Sequence, residues 1–353
     1  MPLPLAFYQA WQEMVGESLM TMNRKTLLAF SLLIMASLFL VSCSLGNKRG
    51  DGKNLPPSMG QPYEVLLEGD TLGIVKEMLT EDVDILPQPE PMCDVISVKQ
   101  GKVRGSYLLM RTRVVVCIGK TFSDKGSDGK KTFSIKQSHD ENAAPQNIIR
   151  IHAASLQELK DSLRPRARVL QSAIYEAEQK HLAAVIKQNP EKQKLVKRLF
   201  GINIKIPAQL DASKEAKDFL WLSNNASRGM QNLIFLRVNA RWEKEAIDSM
   251  LRKNMIGETD DMYMQLKDAP QQTDGKYMER SYPKRLYANL TQGLWEMKGD
   301  AMGGPYRLKR LPLSAKKGTL YIIGFVYAPE MNKRNLMKQL EAVISTATIV
   351  AKN

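Results

Sequence analysis

The sequence predicts an α+β protein, with antiparallel or mixed sheets packed against helices. Three observations lead there. Short apolar runs rich in Val, Ile and aromatic residues recur along the chain and read as strands. Between them lie segments whose apolar residues return at helical spacing. The two kinds follow one another irregularly, without the steady alternation that gives a regular parallel α/β sheet. Apolar content of 43% and charged content of 25% are those of a globular chain.

Ahead of the folded part, Arg24 and Lys25 precede an apolar run of 14 residues, 27–40, closed by Leu40-Val41-Ser42-Cys43. A basic start, an apolar core and a small-residue cut site make an export signal. The run falls short of the roughly 20 residues that span a bilayer. With cysteine at the cut, the pattern resembles a bacterial lipoprotein signal, which implies lipidation of Cys43 as the mature N-terminus. Residues 1–42 are therefore the signal region. Within it, 1–21 carry Glu13 and Glu17, which a signal start avoids, and read as a mis-called start. Residues 43–62, rich in Gly, Pro, Asn and Ser, read as a flexible tether.

Residues 63–200 form an N-terminal α+β half. A strand is expected at 63–67 and a short helix from Thr71, with Leu72, Val75, Met78 and Leu79 on its apolar face. Three prolines within 85–91 predict an extended linker. Strands follow at 94–98, 106–118 and 132–136, with a hairpin loop at 123–131 before the last. After a strand at 148–151, Ser155 and Glu158 form the start signal of a helix, which Pro165 interrupts. The next helix, 166–188, carries a stripe of Leu170, Ile174, Ala177, His181 and Val185. A third, 191–200, ends at Gly201.

Residues 201–353 form the C-terminal α+β half. Strands are expected at 202–206, 219–222, 233–238, 263–266, 285–289, 294–298 and 320–327, with helices at 242–251 and 331–347. Gln146-Asn147-Ile148-Ile149 and Gln231-Asn232-Leu233-Ile234 each precede a helix, a short repeat that would make the halves two related units.

The net charge is +14, and Arg24 and Lys25 are cancelled by Glu13 and Glu17, so the excess lies in the mature chain. Behind an export signal this points away from nucleic acid and toward anionic envelope components. Cys93 and Cys117 are expected as two buried thiols. His139, His152 and His181 have no ligand spacing, and no metal or cofactor motif occurs. No serine-hydrolase elbow or phosphate loop is found, and Gly303-Gly304 reads as a turn.

The candidate binding residues are Trp295, Asp300 and Tyr306, where aromatics beside a polar turn can make a sugar or peptide platform. The competing reading is a hairpin whose Trp packs inward while Asp300 caps the turn. Arg334 is the fourth candidate: with Lys333 it stands at the start of the last helix, where the dipole disfavours cations, which points to an anion nearby.

Three stretches resemble a family of envelope lipoproteins from Gram-negative anaerobes, catalogued as a domain of unknown function, family 4837. They are Asp218-Phe219-Leu220-Trp221 with Gln231-Asn232; Gly293-Leu294-Trp295 through Gly303-Gly304-Pro305-Tyr306; and Gly324-Phe325-Val326-Tyr327 through Lys333-Arg334-Asn335-Leu336. The resemblance implies an envelope location and assigns no activity or site. The expected function is an outer-membrane lipoprotein, anchored through Cys43 and facing the periplasm, with a non-catalytic binding or structural role toward an anionic envelope component or an envelope protein. Lys48 and Arg49, rather than acidic residues, follow the cysteine, which is why the periplasmic side is expected. The alternative is a periplasmic hydrolase of cell-wall or glycan material.

Overall fold

Val65, Leu66 and Leu67, all fully buried, lie on a strand that is flanked on both sides by parallel neighbours. The computed structural model describes residues 54–119, 132–239, 243–268, 290–313 and 318–350. The signal region with Cys43, the expected loop at 123–131 and the expected strand at 285–289 lie outside the described residues. Residues 55–353 belong to one compact unit.

The first sheet contains β1 (Glu64–Glu68), β2 (Asp94–Val98), β3 (Thr112–Ile118), β4 (Phe133–His139) and β5 (Asn147–Ala153), in the order β2-β1-β3-β5-β4. Its neighbours are parallel except β4, which runs antiparallel to β5. One face packs on helices α1 (Ile74–Leu79), α2 (Leu156–Leu163) and α3 (Ala167–Val185). The N-cap of α2 is Ser155, whose hydroxyl accepts from Glu158 N, as the sequence signal requires.

The second sheet is antiparallel throughout: β7 (Ala212–Ala216), β8 (Phe219–Ser223), β9 (Met230–Val238), β10 (Tyr263–Asp268), β11 (Leu290–Lys298), β12 (Gly303–Pro312) and β13 (Thr319–Tyr327), ordered β10-β11-β12-β13-β9-β8-β7. One face is covered by α4 (Pro190–Phe200) and α6 (Arg334–Ser345), the other by α5 (Glu243–Asn254). A small ribbon pairs β6 (Ile202–Asn203) with β14 (Thr348–Ile349). Helix α6 is hidden almost all round: Met337, Leu340, Val343 and Ile344 face the second sheet's core while Ala342 joins the first.

The α+β class stands, and several expectations change. The two halves have different strand orders, one mostly parallel and one antiparallel, so the Gln-Asn repeat opens a strand in unlike settings. Residues 57 and 59 already pair with Ala144 and Met110, so order begins before the expected end of the tether. Helix α1 begins at Ile74 behind left-handed Gly73, leaving Leu72 63% exposed. The 85–91 segment is no open linker: Ile85 and Glu90 are buried, and Val83 N donates to Glu90 O. On α3 the buried face is rotated to Leu170, Ile174, Tyr175, Glu178, Gln179 and Leu182, with Val185 exposed, because both polar side chains have partners inside. Strands β7 and β12 lacked a sequence signal; β7 is a charged sheet edge and β12 opens on two glycines.

Candidate functional site

Trp295 and Tyr306 point into the core and are each 3% exposed, so they offer no open platform. The register explains why. Gly293 lies opposite Tyr306, and Trp295 opposite Gly304. A Cβ on Gly293 would stand 2.6 Å from the Tyr306 hydroxyl, and one on Gly304 would stand 2.2 Å from Val326 O and 3.1 Å from Trp295 Nε1. Each aromatic thus lies over the glycine of the partner strand. The indole N–H donates to Val326 O at 3.0 Å, and the ring meets Phe325 edge-on at 5.0 Å. Gly303 and Gly304 therefore serve close packing inside β12, whereas the left-handed turn residue is Gly299, φ 82°. Asp300 stays at that turn, exposed, its carboxylate accepting from Ala301 N. The structure brings Trp295 and Tyr306 together and leaves Asp300 apart.

Arg334 is 6% exposed and is answered from within the chain. Its guanidinium pairs with Asp94 at 2.5 Å and donates to Pro91 O at 2.6 Å. The buried Glu90 carboxylate accepts from Lys333 N at 2.7 Å and Arg334 N at 2.8 Å. The anions expected near these cations are the chain's own: Asp94 pairs with Arg334, and Glu90 caps α6.

A line of buried charge runs between α3 and α6. Glu178, 0% exposed, accepts from Arg111 Nε at 3.0 Å and Thr112 Oγ1 at 2.7 Å. Gln179 Nε2 donates to Tyr63 Oη at 2.8 Å and Lys338 O at 3.1 Å. Glu341, 1% exposed, accepts from Arg307 Nε at 2.5 Å, Tyr175 Oη at 2.7 Å and Lys338 Nζ at 3.2 Å. The Lys338 ammonium lies 4.5 Å from the centre of the Tyr175 ring. Burial alone would raise the Glu341 carboxyl, but Lys338 and Arg307 outweigh it and hold it below the usual range.

The family comparison divides the chain at this seam. A family described as Domain of unknown function (DUF4837) matches residues 189–346. Residues 189–346 are thus similar to that family. A second family, Domain of unknown function (DUF8532), matches residues 58–187. No curated protein matches the chain, and no solved structure does either. The segment that matches DUF4837 supplies Arg307, Lys338 and Glu341 to the seam; the segment that matches DUF8532 supplies Tyr63, Arg111, Tyr175, Glu178 and Gln179. Sequence periodicity missed Glu178, although Leu170, Ile174, Glu178 and Leu182 follow one another at i, i+4 intervals. A carboxylate in phase with three leucine-type residues was the available signal.

Cys93 is buried, its thiol pushed up to about 12 by burial, and Cys117 is half-buried; both are free. Burial, then the charges of Arg111 and Lys136 respectively, lower His181 and His152. Among the described residues, no group of three or more His, Cys, Asp or Glu is placed to hold a metal ion. What the surface does offer is cationic. On α4, Lys194, Lys197 and Arg198 are exposed along one side.

Proposed function

We propose that the protein is an outer-membrane lipoprotein whose folded unit is held to the membrane through Cys43, faces the periplasm and serves a non-catalytic binding or structural role. The observation that carries this is Leu40-Val41-Ser42-Cys43 closing a basic-then-apolar signal. Ten residues lie between Cys43 and Asn54, and that much chain holds the unit within about 40 Å of the anchor. Inward packing of Trp295 and Tyr306 favours a structural use of the aromatic pair over a glycan cleft. The non-catalytic role fits a unit whose buried charges are paired inside, Glu178 with Arg111 and Glu341 with Arg307.

The test is metabolic labelling with palmitate. Wild type takes up label, and Cys43→Ala loses it and leaves the membrane fraction. Label retained in the Cys43→Ala protein would sink the reading. Protease added to intact cells should leave the protein whole; efficient shaving would place it on the outer surface instead.

A further inference from the structure

Surface charge is unevenly spread. Residues 54–119 hold six Lys or Arg against nine Asp or Glu, whereas residues 180–217 hold nine against three. Many cations in the last part of the chain are buried and answered, as Arg307 and Arg334 are. Around α4, Lys194 and Lys197 are exposed and have no such partner among the described residues. Lys187, Lys194 and Lys197 are exposed, as is Lys217 at the turn after β7. Helical spacing puts Lys194, Lys197 and Arg198 on one side of α4, at intervals of three and four from Lys194. Helix α4 runs beside the edge strand β7, where Lys192 Nζ donates to Ser213 Oγ at 2.7 Å and Arg198 pairs loosely with Glu215 at 3.7 Å. The acidic residues of this region are Glu191, Asp211 and Glu215. Beneath the strip, Val196 and Phe200 fix α4 to the core, so the cations stand on a rigid element.

We propose that the outer side of α4 is a docking surface for an anionic phospholipid bilayer, with Lys194, Lys197 and Arg198 lying against phosphate head groups. This rests on the lipoprotein reading, because a short tether at Cys43 keeps the strip near a membrane. Ammonium and guanidinium groups on a firm helix gain from a negative surface potential that falls off within a Debye length, so the contact weakens with salt. A second, tethered contact of this kind orients the unit as well as holding it.

The test uses the full chain carrying Cys43→Ala, so that no acyl chain contributes, and vesicles of phosphatidylethanolamine with or without phosphatidylglycerol. Co-sedimentation should require the anionic lipid and fall steeply between low and high salt. Lys194→Glu/Lys197→Glu should weaken it roughly tenfold or more, while Lys99→Glu/Lys102→Glu, also on exposed residues, should leave it nearly unchanged. Equal loss in both variants would mean diffuse charge and overturn the proposal, as would binding that ignores phosphatidylglycerol or no binding at all. Palmitate labelling of wild type is scored separately, so failure of the docking surface and failure of the anchor are told apart.

Discussion

At the scale of single residues, Gly293, Trp295, Gly304 and Tyr306 act as a set. Two glycines make room for two aromatics across one strand pair, and the indole reaches a carbonyl that a Cβ at Gly304 would obstruct. Gly304→Ala places a methyl 2.2 Å from Val326 O, where backbone must shift. The expected loss is about 3 kcal/mol, the range of overpacked cores, read as a lower urea midpoint with an unchanged slope. An Ala variant as stable as wild type would show that Gly304 is not there for close approach. The sequence made this cluster visible, because Trp, Tyr and paired glycines stand out. Their purpose was less legible: a double glycine reads equally as a turn or as a flat place under a ring, and only the register decides. Glu178 and Gln179 were hidden for a different reason. A search for apolar stripes discards polar residues, and these two are inside only because Arg111, Thr112, Tyr63 and the Lys338 carbonyl receive them.

At the scale of elements, local signals located the helices well when the cap lay close in sequence. Ser155 starts α2, Asn189 starts α4 with its side chain accepting from Lys192 N, and left-handed Gly201 ends it. Helix α6 differs: its own N-cap, Lys333, makes no side-chain cap, and the carboxylate that serves it belongs to Glu90, 243 positions away. No window along the chain can show that pairing, which is why residues 85–91 read as a linker. Removing the carboxylate tests the assignment. Glu90→Ala should cost about 2 kcal/mol, the upper end for a cap, because the N–H groups of Lys333 and Arg334 lose their acceptor in a buried place. Amide exchange should quicken first at the start of α6. A variant within about 0.5 kcal/mol of wild type, within the scatter of plain surface changes, would mean that water caps the helix equally well.

At the scale of the whole molecule, two sheets of unlike topology meet through α3 and α6, and buried charged and polar side chains line their contact. The α+β class was legible because it needs only the mixture of periods; strand order was not, since β1 pairs with residues some thirty and fifty positions on while β9 pairs with β13. The seam has a thermodynamic consequence. Glu341 is depressed in the folded state, so its contribution is present above the unfolded carboxyl value, about 4.3, and is lost as pH falls through the lower folded value. Stability should therefore decline on acidification from about pH 4 downward, and Glu341→Gln should flatten that acid limb. The same substitution leaves Arg307 and Lys338 buried with less counter-charge, a loss of about 3–5 kcal/mol at neutral pH. Because Glu341 bonds to Arg307 on β12 and to Tyr175 on α3, the loss should reach both sheets. Hydrogen exchange in Glu341→Gln should quicken in β3 and β5 of the first sheet as much as in β9 and β13 of the second. Faster exchange confined to one sheet would mean that the two segments unfold separately and that the seam joins them without coupling their stability.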